Sequence, residues 1–314
     1  MSKATAVLSR FKLPVRDAYD LPSSNKRFAD GGQYRIEIPS TEGPRAMEAV
    51  IQAAASYDVA IHRISQGSGI MLQTDEEIRQ MVSLGRAHGM EVCLFVGPRA
   101  SWDTGVQAAS SAGRVLGASL RGADQLAFGI EDVLYGLKLG IKSILVGDIG
   151  HLALLGRMKK EGDLPPDFVL KTSVTLAAAN PAAGRLFEDL GATSLNLPVD
   201  LTLPQIAAIR QAVDIPIDYY VESPDDFGGA VRHYEIPELV RVAAPIYLKF
   251  GLRNHAPLYP AGQHLENLVI SLCRERVRRA AIGIGILRRY APDAVASPIQ
   301  PASPKEQPLE PTRP

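Results

Sequence analysis

Two lysines, Lys171 and Lys249, and three carboxylates, Glu37, Asp148 and Glu222, stand at or near the ends of short apolar runs. A lysine desolvated or crowded by cations can serve as a general base, an amine nucleophile or an anion clamp. Three carboxylates brought together can hold a divalent ion through oxygen ligands. Neither chemistry is announced by a compact motif: there is no His-Glu-x-x-His and no Gly-x-Ser-x-Gly elbow. The competing reading is structural, with Lys171 and Lys249 neutralised by Glu37 and Glu222. For any one residue the two readings weigh about equally. For the set, chemistry is favoured, because apolar layers would fill the same interior at lower cost.

These side chains need elements to position them. Apolar runs recur at 34–38, 59–64, 91–96, 143–147, 168–172, 194–200, 217–222 and 246–251. Amphipathic segments lie between them, at 46–56, after a Thr74-Asp75-Glu76-Glu77 capping box, and at 130–140, 152–160 and 181–190. A last one spans about 265–290. Eight strands in series, each with a helix, predict a (β/α)8 TIM-type barrel, with a doubly wound open sheet as the rival. A single domain is expected over 1–291, with 1–32 covering the bottom of the barrel. Residues 100–128, rich in Ala, Ser and Gly, read as an insertion after strand 3 that could form a lid. The Pro-rich segment 292–314 reads as a disordered tail.

Strand alternation then assigns faces. The apolar set faces the helices, so the polar set faces inward: Glu37, Asp148, Lys171 with Ser173, Asn196 with Asp200, Tyr220 with Glu222, and Tyr247 with Lys249. At 62–63 either His62 or Arg63 points inward. These positions gather near the carboxyl ends of the strands, where barrel enzymes keep their active sites. Lys249 and Lys171 are the candidate bases or nucleophiles, with Glu222 and Glu37 as acid/base partners. Glu37, Asp148 and Glu222 are the candidate metal ligands. His62, Arg63, Asn196, Tyr220 and Arg253 are candidates for substrate binding.

Gly228-Gly229 and Arg253 follow strands seven and eight, where barrels often bind phosphate. A turn needing positive φ is the somewhat stronger reading of the two glycines. Cys93 reads as a small core residue. Arg274, Arg276, Arg278, Arg279, Arg288 and Arg289 make the last helix basic. A solvated helix surface explains that better than a nucleic-acid face on a chain whose 34 Lys and Arg balance 34 Asp and Glu.

The apolar (46%) and charged (22%) fractions are those of an ordinary soluble globular protein of 314 residues. No signal peptide or membrane span is evident, and two cysteines make no disulfide framework. The expectation is a cytoplasmic protein with a small-molecule partner and neither membrane nor nucleic acid. The sequence leaves self-association open and names no cofactor beyond the divalent ion.

The stretch LGATSLNLPVDLTLPQIAAIRQAVDIPIDYYVE, from Leu190, resembles the peptidase U32 family, as does EDVLYGLKLGIKSILVGDIG at Glu131–Gly150. The features shared are Gly-Ala, a strand ending in Pro-x-Asp, a helix opening Leu-x-x-Ile, and a strand ending in an acidic or polar residue. The resemblance implies a barrel-like fold and a peptidase label. Some relatives are linked to hydroxylation of RNA or quinones with an iron–sulfur cluster. Where those carry His-Gly and cysteines after strand seven, this chain has Glu222-Ser223-Pro224-Asp225-Asp226. No iron–sulfur cluster is therefore expected. What remains is a barrel enzyme acting on a small polar or anionic substrate, as hydrolase, lyase or isomerase. A protein- or RNA-directed modification factor and a non-catalytic binding protein are the alternatives.

Overall fold

A computed structural model describes residues 6, 7, 10, 20–103, 105–113 and 116–301. Eight parallel strands pair in the order β5-β4-β3-β2-β1-β8-β7-β6. They are β1 (Tyr34–Pro39), β2 (Arg63–Gln66), β3 (Glu91–Phe95), β4 (Ser143–Val146), β5 (Val169–Thr172), β6 (Leu195–Asn196), β7 (Ile217–Glu222) and β8 (Ile246–Phe250). A parallel bridge between Lys171 and Ser194 joins β5 to β6 and closes the ring. The sheet is a barrel, and the open-sheet rival is set aside.

Crossover helices are α1 (Pro44–Tyr57), α2 (Asp75–His88), α3 (Gly122–Lys138), α4 (Ile149–Glu161), α5 (Pro181–Asp189), α6 (Leu203–Ala212), α7 (Ile236–Ala243) and α8 (Glu266–Tyr290). Their starts follow local chemistry. Pro44 and Pro181 occupy the first turns of α1 and α5, where a missing N–H costs nothing. Thr74 and Glu77 form the reciprocal capping box of α2. Between helices and sheet lies one apolar shell that includes Ile36, Ile38, Ile64, Leu94, Ile144, Leu170, Tyr219, Leu248 and Phe250. Burial of each large side chain contributes about 1.5–3 kcal/mol. The alternation that sends these residues outward sends their neighbours into the barrel.

Several boundaries differ from the sequence reading. Strand two is shifted forward: it begins at Arg63 and takes in Ser65 and Gln66, which read as loop. Strand six ends at Asn196, so Asp200 lies beyond it and is exposed. The helix expected at 130–140 begins at Gly122 and ends at Lys138, with Gly129, Val133 and Gly136 buried. The insertion therefore ends sooner, and its described part holds two short turns, Ala100–Trp102 and Val106–Ala109.

The amino end of the barrel is closed by both ends of the described chain. Ser24 donates to Ala244 O and its N–H to Arg241 O, and Phe28 packs edge-on against Tyr247. From the other side, Gln33 N donates to Val295 O, and Ser297 N donates to Tyr34 O. Ser297 Oγ joins Arg35 and Asp30 at 3.0 and 2.9 Å. The segment after α8 thus stays with the fold through Ser297, because Ala294, Val295 and Ala296 lie along the start of β1 and lend it backbone partners. Residues 302–314, the rest of the expected tail, lie outside the described residues.

Candidate functional site

Alternation places a charged cluster inside the barrel. Glu37 is fully buried. Its Oε2 accepts from Lys171 Nζ and, at 3.3 Å, from Arg63 Nη1. Its Oε1 accepts from Ser65 Oγ at 2.7 Å and lies 3.7 Å from Lys249 Nζ. Arg63 Nη1 also reaches Asp218 Oδ1 at 2.6 Å, and its Nε reaches Glu91 Oε1 at 2.8 Å. Asp218 Oδ1 is 3.7 Å from Lys171 Nζ, and its Oδ2 accepts from Ser194 Oγ. Burial alone would raise the Glu37 carboxyl; Lys171, Lys249 and Arg63 outweigh it and hold that group well below the usual carboxylate range. Glu91 is likewise held low against burial by Arg63 and Ser143. The Arg63 guanidinium also lies over the Tyr247 ring at 3.5 Å.

Lys249 differs from Lys171. Where Lys171 sits directly against Glu37, Lys249 keeps its ammonium over the Tyr220 ring, 4.0 Å from the centroid. With the Asn196 amide oriented to suit its neighbours, Asn196 Oδ1 accepts from Lys249 Nζ at 2.9 Å and from Val174 N at 3.3 Å. A lysine, an amide and a phenol ring thus meet at the carboxyl ends of β6, β7 and β8. Nearby, the loop after β8 folds back so that the Tyr259 hydroxyl pairs with Ser40 Oγ and Ala261 N donates to Ser68 Oγ at 2.8 Å. Gly67 is required at this crossing, since a Cβ there would overlap the Tyr259 ring. The Arg99 guanidinium lies 3.6 Å over Phe95 and 4.0 Å over Trp102 and donates to Gly67 O; burial lowers it to about 10.

Of the expected residues, the barrel brings Glu37, Lys171, Lys249, Asn196, Tyr220 and Arg63 together. It settles the choice at 62–63: Arg63 faces inward. His62 instead accepts from Ile36 N at Nδ1 (3.0 Å), and its Nε2 meets Ser297 O (2.8 Å), a structural role at the barrel bottom. Asp148 caps α4, accepting from His151 N at 2.8 Å and Leu120 N at 3.1 Å. Glu222 is turned away from the lysines by a register shift between Tyr220 and Glu222. It meets His233 Nε2 at 3.2 Å, Arg279 Nη1 at 3.4 Å and Arg253 N at 3.4 Å. Burial would raise the Glu222 carboxyl, and those contacts outweigh it and lower it.

Glu37, Asp148 and Glu222 therefore do not converge, and no group of three His, Cys, Asp or Glu could hold a metal ion among the described residues. Gly228 and Gly229 take positive φ after the Asp225–Phe227 turn. The place expected for a phosphate there is taken by the chain's own Asp225, which pairs with Arg253 Nη2 at 3.1 Å and accepts from Asn254 N. Asp218, Glu91, Ser65 and Ser194 were missed by the sequence reading. Asp218 shares parity with Tyr220 but lies at the amino end of β7. The basic last helix also holds a correction: Arg276 is fully buried, not solvated. Cys93 is buried, and burial pushes its thiol up to about 12.

Residues 123–223 match the family model of peptidase family U32. That U32-like stretch runs from the start of α3 to the end of β7 and carries Lys171, Asn196 and Tyr220, but stops short of Lys249. Solved structures similar in fold include a U32 peptidase (15% identity, TM-score 0.42, covering 76% of this chain and 99% of that one). Oxaloacetate acetylhydrolase with bound oxalate is another (12%, 0.46, 85% and 85%). A third is orotidine 5'-monophosphate decarboxylase of Methanocaldococcus jannaschii (10%, 0.40, 84% and 98%). No curated protein sequence matches. No helix among the described residues is long and apolar enough to cross a membrane.

Proposed function

We propose that the protein is a barrel enzyme acting on a small anionic molecule, with Lys249 as its reactive amine. One observation carries this reading. Of two buried lysines beside Glu37, Lys171 is pressed against the carboxylate, whereas Lys249 stands 3.7 Å off and is oriented by Asn196 and Tyr220. Lys171, Arg63 and Lys249 face Glu37, Asp218 and Glu91, and Lys249 is the cation of the three held farthest from its carboxylate. Once neutral, its proton passed to water, an amine so held removes a proton next to a carbonyl, or adds to the carbonyl carbon and releases water as an imine forms. That supports a lyase or isomerase. Hydrolysis of a peptide or amide bond is the alternative, raised by the U32 match over 123–223. A cytoplasmic setting belongs to the same proposal and fits two free, buried cysteines.

The test is reductive trapping. Purified protein is incubated with a panel of 2-oxo acids and sodium borohydride, then digested and mapped by mass spectrometry. A reduced adduct on Lys249, absent from Lys249→Met, is the expected result. An unmodified Lys249 across the panel, with Lys249→Met still turning over any substrate found at the wild-type rate, would remove Lys249 from the chemistry.

A further inference from the structure

The buried stripe of α8 runs through Val269, Cys273, Arg276, Val277 and Ala280. A guanidinium in such a row needs an explanation. Arg276 is 0% exposed. Its Nη1 donates to Ser40 O at 3.2 Å and touches Cys273 Sγ at 3.8 Å. Among the described residues its Nε and Nη2 have no hydrogen-bond partner. Among the described residues no carboxylate forms an ion pair with it. Glu42, the carboxylate sharing this corner, is engaged by the N–H groups of Gly67 and Ser68 at 2.7 and 3.0 Å. Burying a charge with no partner costs several kcal/mol.

The two idle donors are a matched pair. In a guanidinium, Nε–H and one N–H of Nη2 point in parallel along one edge, the two-pronged donor that fits a carboxylate or phosphate. The guanidinium also has a definite place in the fold. Ser40 directly follows β1, so Arg276 is tied to the carboxyl end of the barrel. Burial raises the phenols of both Tyr220 and Tyr259, and Arg276 lies close enough to each to act against that rise. Lys249 lies over the ring of that same Tyr220.

We propose that Arg276 is the anion anchor of the barrel mouth. Its Nε–Nη2 edge grips a carboxylate or phosphate group of the substrate, while Lys249 addresses the reacting carbon across Tyr220. This deepens the reading of Lys249 given above and rests on it for the location of the site. The shared ligand chemistry is a small oxyanion with two oxygens on one face.

The experiment uses the full chain and three probes: inorganic phosphate, oxalate and, as an uncharged control of similar shape, oxamide. Binding is followed by calorimetry and by the rise in Tm, with circular dichroism as the check on folding. Wild type binds one of the two anions saturably and ignores oxamide; which anion binds distinguishes phosphate from carboxylate. Arg276→Lys, which keeps the charge and loses the fork, weakens that binding at least tenfold, and Arg276→Met abolishes it. Lys249→Met still binds the anion. The anchor is overturned if neither anion binds wild type, or if Arg276→Lys binds with wild-type affinity, a comparison that stands even should Arg276→Met fail to fold. Loss of binding in Arg276→Lys with no borohydride adduct on Lys249 keeps the anchor and rejects the amine. An adduct on Lys249 with unchanged anion binding in Arg276→Lys does the reverse.

Discussion

At the residue scale the interior network is a closed set, and its members are not separable. Removing one partner of a fully buried pair leaves the other charge uncompensated, at a cost of about 3–5 kcal/mol. Lys171→Met is therefore expected to destabilise strongly, and Glu37→Gln with Lys171→Met less than the sum of the singles, as read in urea unfolding. His62 gives a pH signature. Burial lowers it to about 4, and its Nδ1 accepts the Ile36 N–H, so the folded state holds it neutral. Between about 4 and the unfolded value near 6.5 the unfolded chain binds more protons. Stability is then full above that window and falls as pH drops through it. His62→Gln, which can make both hydrogen bonds, should flatten the fall in thermal melts from pH 7 to pH 4; His151, also lowered to about 4 by burial, leaves a residue of it. Much at this scale was legible. Strand parity alone put Glu37, Lys171 and Lys249 on one interior. Arg276 was legible too: seven residues after Val269 and three after Cys273, it falls on the apolar stripe of α8, a spacing obscured by the surrounding arginines.

At the element scale the strands and most helices follow from alternation and capping, and the misses have local causes. A single register irregularity in β7 defeated parity for Glu222, because alternation counts residues and cannot see an extra one. In the loops after β7 and β8 the stronger reading of Gly228 and Gly229, a turn needing positive φ, holds, and the weaker one, a phosphate cradle with Arg253, does not. Asp225 supplies the anion internally, and no rule of spacing would have paired it with Arg253. Since that pair is about half exposed, Arg253→Ala should cost less than about 1 kcal/mol and leave oxalate or phosphate binding unchanged in the calorimetric assay. A tenfold loss would return the anion site to these loops.

For the whole molecule, the U32-like stretch supplies the arc from α3 to β7, while Arg63, Lys249 and Arg276 come from parts of the chain outside that match. The barrel closes its own base with residues 20–32 and 294–297, so deleting 292–314 should lower Tm by several degrees and open the face of Tyr34 and His62, measured by thermal melting and by amide exchange at Ile36. Had the tail begun at 292 as composition suggested, that deletion would be silent. The same closure has a consequence for birth on the ribosome. Asp30 and Ser297 are 267 positions apart, and β1 pairs with β8 on one side. β1 is translated about 200 residues before β8 and must keep one edge unpaired over that interval. That edge is open to wrong pairing until β8 emerges, and slowed translation between β1 and β8 would lengthen the exposed interval.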